Sequence, residues 1–227
     1  MRMRKIVIAT PCYGGVSADF ANSLAASVNV FLSHGIHLFP MLLAHHSVIQ
    51  MARNRLLAEA IELDVDDIVW IDSDISWDPM DLMKLCLHEE DVVGATYRKK
   101  MPESTHFTLM LIRGNETPDW RGLIEVSRLG TGFLRMTKKA MKELFESSVE
   151  YIDSKGASVR NVFEVGLLDG EFLSEDFFVC EKLKKLGYKI MLDSKINLGH
   201  EGNFVYRGDV PHFLEWIKAG SPDQSKK

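Results

Sequence analysis

Apolar residues along the first third of the chain fall into two alternating patterns. Ile6-Val7-Ile8-Ala9 is an unbroken run that reads as a buried strand followed by a turn at Pro11 to Gly15, and from Ala18 to Leu32 the apolar positions recur at helical period. Leu38 to Ala44 then reads as a second strand, Val48 to Leu63 as a second helix and Asp67 to Ile71 as a third strand. Continuous apolar strands alternating with amphipathic helices predict an α/β fold, a mixed and mostly parallel sheet flanked by helices. Ligands of such sheets bind outside the carboxyl ends of the strands. The turn after Ala9 and the acidic residues Asp72 and Asp74 both fall at such ends.

A helix is expected from Pro79 and a fourth strand over Asp91 to Ala95, after which the pattern changes. Phe107 to Ile112, Leu123 to Val126 and Phe133 to Met136 are short strand-like runs separated by Gly114, Pro118 and Gly130, which predicts a mixed or antiparallel extension of the sheet. Lys138 to Phe145 reads as a helix, Asp153 to Gly170 as a mobile loop, Glu175 to Leu186 as a helix and Lys189 to Leu192 as a late strand. Residues 1–219 are expected to form one domain and 220–227 a disordered tail, with no internal repeat or linker dividing the chain.

Composition narrows the function classes. With 227 residues, 46% of them hydrophobic and 26% charged, the chain can bury one substantial core. A net charge of −5 with scattered lysines and arginines gives no basic footprint for nucleic acid. Cys12, Cys86 and Cys180 are odd in number and far apart, so neither a disulfide framework nor a zinc site is suggested. No apolar run approaches the ~20 residues of a membrane helix, and Met1 to Lys5 lead straight into a strand without a signal-like apolar region. A soluble protein of the reducing cytoplasm is the expectation.

Three constellations can carry chemistry. Asp72-Ser73-Asp74 follows the apolar strand Ile68 to Ile71, and residues two apart project from the same side of a strand, so the two carboxylates can share one divalent cation. Hard oxygen ligands suit Mg²⁺ or Mn²⁺, ions that keep open positions for substrate phosphates. A solvated acidic turn is the plain alternative. An EF-hand is set aside, because counting from Asp72 its glycine would be Trp77 and its bidentate glutamate Met83. In the second constellation Ser174 is a candidate N-cap, with Glu175 and Asp176 in the first helical turn. Simple capping would account for it, yet acids at a helix start also lie where a general base can meet a substrate. The third is Gly199-His200-Glu201-Gly202, where flexible backbone would let an imidazole approach an ion and tilt its preference from Mg²⁺ toward Mn²⁺.

The order of these pieces resembles a GT-A-type, Rossmann-like nucleotide-sugar glycosyltransferase, and most closely the small single-domain viral and bacterial members similar to family-two transferases. The resemblance rests on Ala9-Thr10-Pro11-Cys12-Tyr13-Gly14-Gly15, Met51-Ala52-Arg53-Asn54-Arg55, Asp72-Ser73-Asp74, Gly130-Thr131-Gly132-Phe133, Ser174-Glu175-Asp176 and Gly199-His200. It spans residues 6 to about 202. It implies that Thr10, Pro11 and Tyr13 hold the base and ribose, that Arg53 and Asn54 border the nucleotide pocket, and that Ser73 and Gly132 lie against the donor. Asp72 would contact ribose or metal, while Asp74 and His200 would complete the metal set around Mn²⁺ or Mg²⁺. Asp176 would accept the proton of the attacking hydroxyl, and Glu175 would orient the acceptor.

The implied activity is metal-dependent hexosyl transfer from a nucleotide-diphosphate sugar, UDP-sugar favoured, to a glycan or other hydroxyl acceptor, with inversion favoured. Trp77 reads as a packing residue or a sugar platform, and Arg98, Lys99 and Lys100 follow the fourth strand near the expected donor site, where they read as diphosphate contacts or, for at least Lys99 and Lys100, as a solvated cationic loop. Two alternatives stay open. A haloacid-dehalogenase-like Mg²⁺ phosphotransferase also uses an apolar strand ending in Asp-x-Asp, although its acid strand normally comes first in the domain. A non-catalytic module that binds nucleotide-sugars would keep the fold without needing a base.

Overall fold

The structure, a computed structural model, describes residues 2–101, 106–153 and 156–220. The first elements are β1 (Arg4–Pro11), α1 (Ala18–Ser33), β2 (Ile36–Leu43), α2 (Ile49–Glu62) and β3 (Asp67–Ile71), the series that the periodicity predicts. They are followed by β4 (Ile75–Ser76), α3 (Pro79–Leu87), β5 (Val92–Gly94), β6 (Leu109–Leu111), β7 (Leu123–Leu129), β8 (Phe133–Thr137) and α4 (Lys138–Glu146). The last third holds β9 (Glu150–Ile152), β10 (Ser158–Arg160), β11 (Gly166–Leu168), β12 (Glu171–Leu173), α5 (Glu175–Lys185), β13 (Ile190–Asp193), β14 (Gly199–Glu201), β15 (Val205–Tyr206) and α6 (Val210–Lys218).

Helix starts follow local chemistry. Ser17 accepts from the Phe20 amide to cap α1, Thr137 accepts from Ala140 to cap α4, and Asp78 with Pro79 opens α3. Asp209 caps α6 in the same way, a helix for which the sequence reading made no provision although the cap was there to be read.

Eight strands form the central sheet in the order β2-β1-β3-β8-β5-β13-β7-β6. β1 pairs in parallel with β2 and β3, and β5 in parallel with β13, whereas β8 lies antiparallel between β3 and β5. β7 is antiparallel to both β13 and β6, so only β7 and β8 oppose the common strand direction. This is the mixed, mostly parallel sheet expected, and the run Phe133 to Met136 proves to be a central strand.

Strand alternation divides the core between the two faces of the sheet. Val7, Ala9, Ile68, Trp70, Leu134 and Met136 pack with residues of α2, α4, α5 and α6. Their neighbours Ile6, Ile8, Val69, Ile71 and Phe133 pack on the other face with α1 and α3. Burial on both faces explains why these strands read as unbroken apolar runs.

The mobile loop expected over Asp153 to Gly170 is corrected. Residues 154 and 155 lie outside the described residues, and in the rest of the stretch and its flanks β9 pairs with β10 and β11 with β12 in two small antiparallel ladders. Asp169 and Gly170 turn the second ladder with φ of 51° and 83°, the left-handed pair that an Asp-Gly turn supplies. Val162 and Phe163 between the ladders are fully buried, which anchors the segment to the core. Of the expected disordered tail, residues 221–227 lie outside the described residues.

Candidate functional site

The site is assembled at the carboxyl end of β3. Four backbone hydrogen bonds pin the acidic turn: Asp72 N–H donates to Gly132 O at 3.1 Å, Ile75 N–H to Asp72 O at 3.1 Å, Ser17 N–H to Ser73 O at 2.8 Å, and Glu201 N–H to Asp74 O at 2.8 Å. A glycine at 132 is required, since a Cβ there would lie 2.5 Å from both Asp72 Oδ2 and the Tyr97 hydroxyl oxygen. β4 continues the turn and pairs antiparallel with β14, setting His200 opposite Ile75. That pairing brings residue 200 to the acidic turn, with His200 Nε2 3.7 Å from Asp74 Oδ1.

An open cleft of about 400 Å³ lies above this turn. Pro11, Cys12 and Tyr13 from the end of β1 line it together with Asp72, Ser73, Asp74 and His200. So do His46, Ser47, Ile49 and Ala52 after β2, and Tyr97 and Thr108 after β5. The volume is in the range of a small-molecule site, and the lining combines the carboxylates of Asp72 and Asp74 with the exposed Tyr13 ring.

Behind the cleft sits Arg53, 1% exposed. Its Nη2 donates to Asp72 Oδ1 at 2.8 Å and lies 3.8 Å from Asp176 Oδ1, and its guanidinium stands over the rings of Trp70 and Phe163 at 5.8 and 5.7 Å. Burial alone would lower the Arg53 pKa, but Asp72, Asp176 and Glu175 together raise it, so the cation is permanent. Burial pushes the Asp72 carboxyl up, and Arg53 opposes that shift. Tyr97 approaches the other Asp72 oxygen at 3.4 Å, and its burial, with Asp72 and Asp176 nearby, holds its pKa well above the ordinary value. Tyr97 therefore remains a phenol that can donate.

α5 delivers Glu175 and Asp176 from its first turn to the same place. Thr131 Oγ1 donates to Asp176 Oδ1, the same oxygen that faces Arg53. Glu175 is held above the usual carboxylate range by burial and by its neighbour Asp176. Ser174 stands at the N-cap position with extended backbone, but its side chain makes no capping hydrogen bond, contrary to the sequence reading.

Several predicted residues thus share one cleft, and others do not. Pro11, Tyr13, Asp72, Ser73, Asp74 and His200 line it. Arg53 is closed off from solvent and faces carboxylates, not a nucleotide edge. Asn54 is also redirected: its side chain donates to Phe163 O at 3.0 Å and accepts from Phe163 N–H at 2.7 Å, so its amide is consumed by the backbone between the two ladders. Thr10 is fully buried, and its hydroxyl has no partner among the described residues. Trp77 is a core residue, edge-on to Phe20 at 5.3 Å with Nε1 donating to Ser27.

The expected three-ligand metal set is not gathered. Among the described residues no group of three or more His, Cys, Asp or Glu side chains is placed to hold an ion, and Asp72 is engaged instead by Arg53 and Tyr97. Asp74 and His200 do fit as a two-donor set. The Arg98 carbonyl, which can only accept, lies 2.8 Å from His200 Nδ1, so Nδ1 carries the hydrogen and Nε2 is the atom turned toward Asp74. Burial holds the His200 pKa below its ordinary value, which favours the neutral imidazole that ligation requires. Lys100, read from the sequence as solvated, is ion-paired with Asp74 Oδ2. Tyr97 and His46 are residues that sequence reasoning missed, whereas Thr131 reads there only as part of a glycine-flanked turn and Lys100 only within a cationic loop. His46 and Ser47 follow the carboxyl end of β2, the one signal that would have singled them out.

No protein-family model and no curated protein matches the chain. Among solved structures it is similar to the inositol-1-phosphate CTP transferase from T. maritima, with 9% identity, 95% of this chain and 98% of that one covered, and a TM-score of 0.41. It is also similar to a mannose-1-phosphate geranyltransferase from Thermus thermophilus, at 14% identity over 63% of this chain and 60% of that one with a TM-score of 0.39. A nucleoside-diphosphate-sugar pyrophosphorylase from Vibrio cholerae matches at 14% identity over 82% and 90%, with a TM-score of 0.35. No helix among the described residues is long and apolar enough to cross a membrane.

Proposed function

We propose that the protein is a glycosyltransferase that moves a sugar, with inversion, from a nucleotide-diphosphate sugar, UDP-sugar favoured, to a hydroxyl acceptor. The observation that carries this reading is the convergence of Asp176 with the acidic turn: Arg53 lies 2.8 Å from Asp72 and 3.8 Å from Asp176, so a candidate base stands beside the cleft that would hold the donor. A binding module would have no need of that base.

The chain's own groups divide the work. Tyr13 and the end of β1 offer an apolar wall for the base, and Asp72, fixed by Arg53, offers a carboxylate to the ribose side of the cleft. Among the described residues Thr131 and Arg53 both meet Asp176 on Oδ1, which leaves Oδ2 for the acceptor hydroxyl. Asp176 would take the hydroxyl proton as the oxygen bonds to the sugar C1 and the bond from C1 to the diphosphate breaks. A divalent cation, Mn²⁺ or Mg²⁺, held by Asp74 and His200 would stabilise the charge growing on the diphosphate. Nucleophilic phosphoryl transfer fits less well, because both Asp72 oxygens already face donors.

The test is a panel of UDP-, GDP- and dTDP-sugars with Mn²⁺, read as release of nucleoside diphosphate, with wild type and Asp176→Asn compared. Release by the wild type and loss in Asp176→Asn with nucleotide binding retained is the expected result. Wild-type rates in the variant would overturn the role of Asp176. Formation of nucleotide-sugar from a nucleoside triphosphate and a sugar phosphate, with no glycosyl transfer, would replace the proposal by nucleotidyl transfer.

A further inference from the structure

Lys100 follows β5 near the cleft and reaches it along a defined track. Arg98 is bridged to Phe107, and Lys99 N–H donates to His106 O at 2.9 Å, so the backbone leading to Lys100 is paired. The side-chain stem then lies across Gly202, where a Cβ would come within 3.2 Å of the Lys100 Cδ. At its end the ammonium pairs with Asp74 Oδ2, while His200 Nε2 faces the other oxygen, Oδ1, at 3.7 Å. Both partners of the Lys100 pair keep about a third of their surface, at 34% and 36%. Such a pair is weak and easily exchanged.

An imidazole nitrogen and a carboxylate turned toward the same small space form a place for a positive charge, and here the chain supplies one itself. We propose that Lys100 is a tethered counter-ion that occupies the cation position of Asp74, and that a divalent cation binding to Asp74 and His200 must displace it. The inference rests on the proposed reading of the cleft, which assigns that cation to Asp74 and His200. Once displaced, the ammonium remains on a stem that Gly202 guides along the cleft rim, where a second anion such as a diphosphate would meet it. Lys100 would thereby keep the acidic turn neutralised in the empty protein and yield only to a doubly charged ion.

The experiment uses Mn²⁺ alone, with bound and free ion separated by the electron paramagnetic resonance signal of the free ion, on wild type, Lys100→Met and Asp74→Asn. Removing the competitor is expected to tighten Mn²⁺ binding about twofold to fivefold in Lys100→Met, the fold-change to which the strength of an exposed ion pair converts. Asp74→Asn is expected to abolish it. In parallel, acetylation of Lys100 by a limiting amine reagent, read by mass spectrometry, should rise when Mn²⁺ is added to the wild type and should already be high in Asp74→Asn. Equal or weaker Mn²⁺ binding in Lys100→Met, or Lys100 reactivity indifferent to Mn²⁺, would overturn the inference while leaving glycosyl transfer intact. Absence of Mn²⁺ binding in every form would overturn it too, and the nucleoside diphosphate release assay would still decide the reaction separately.

Discussion

Arg53 Nη2 donates to Asp72 Oδ1 at 2.8 Å from a position that is 1% exposed, so a permanently charged guanidinium is held behind the acidic turn instead of in front of it. Its second carboxylate is Asp176, 3.8 Å away on α5. One buried cation therefore sets the spacing between the turn of β3 and the start of α5, two elements far apart in the chain. Removing one partner of a buried ion pair leaves the other uncompensated.

Arg53→Met is accordingly expected to cost about 3 kcal/mol of stability, the low end for a broken buried pair because Asp72 keeps some contact with solvent. Arg53→Lys keeps the charge but loses the planar fork that faces both carboxylates, and its transfer rate should fall on the order of a hundredfold through misplacement of Asp176. Urea unfolding and nucleoside diphosphate release measure the two effects. Near-normal turnover in Arg53→Lys would contradict the positioning role.

Gly132 faces Asp72 and Tyr97 so closely that a methyl group has no room. Gly132→Ala should destabilise by about 1–3 kcal/mol and displace the Asp72 carboxylate. Its melting temperature and its affinity for a nucleoside diphosphate are both expected to drop. A variant with unchanged affinity would show that Asp72 does not border the bound nucleotide.

Asn54 joins α2 to the Phe163 backbone through 3.0 and 2.7 Å hydrogen bonds. Asn54→Ala strands the buried Phe163 N–H and C=O, which should cost about 1–3 kcal/mol. Nucleotide affinity measured by calorimetry should hold below the melting transition. A selective loss of affinity without loss of stability would restore Asn54 to the nucleotide pocket.

Acid should weaken the protein partly through Asp193. Burial of this side chain would raise its pKa, but His88 and Lys84 bonding to it at 2.9 Å, with the Lys195 amide, lower it below the ordinary value. A carboxylate with a depressed folded pKa binds fewer protons folded than unfolded, so stability rises with pH between the two values. Its contribution is complete above about pH 5 and is lost as pH falls through the unfolded value of about 3.9 and on through the folded one. Asp193→Asn should lower stability at pH 7 and flatten the acid limb of a stability-pH profile. An acid limb as steep as that of the wild type would assign acid sensitivity elsewhere.

The sequence by itself determined the elements whose residues lie within a few positions of one another. Strand runs such as Ile68 to Ile71 and the acids opening α5 are legible because hydrophobic period and helix-start electrostatics act over one or two turns of chain. It also placed Asp72 and Asp74 at a strand's carboxyl end, where parallel sheets bind ligands. The ladders after Glu150 escaped because three-residue strands carry too little period, although Asp169-Gly170 marked one turn. Only the tertiary structure decided which charge meets which. Arg53 and Asn54 are adjacent in sequence, yet helical rotation sends one to Asp72 and the other to Phe163. His200 reaches Asp74 through the pairing of β14 with β4, and Lys100 reaches it across Gly202. Ion pairs between such distant positions depend on how layers pack, and no local spacing rule encodes that packing.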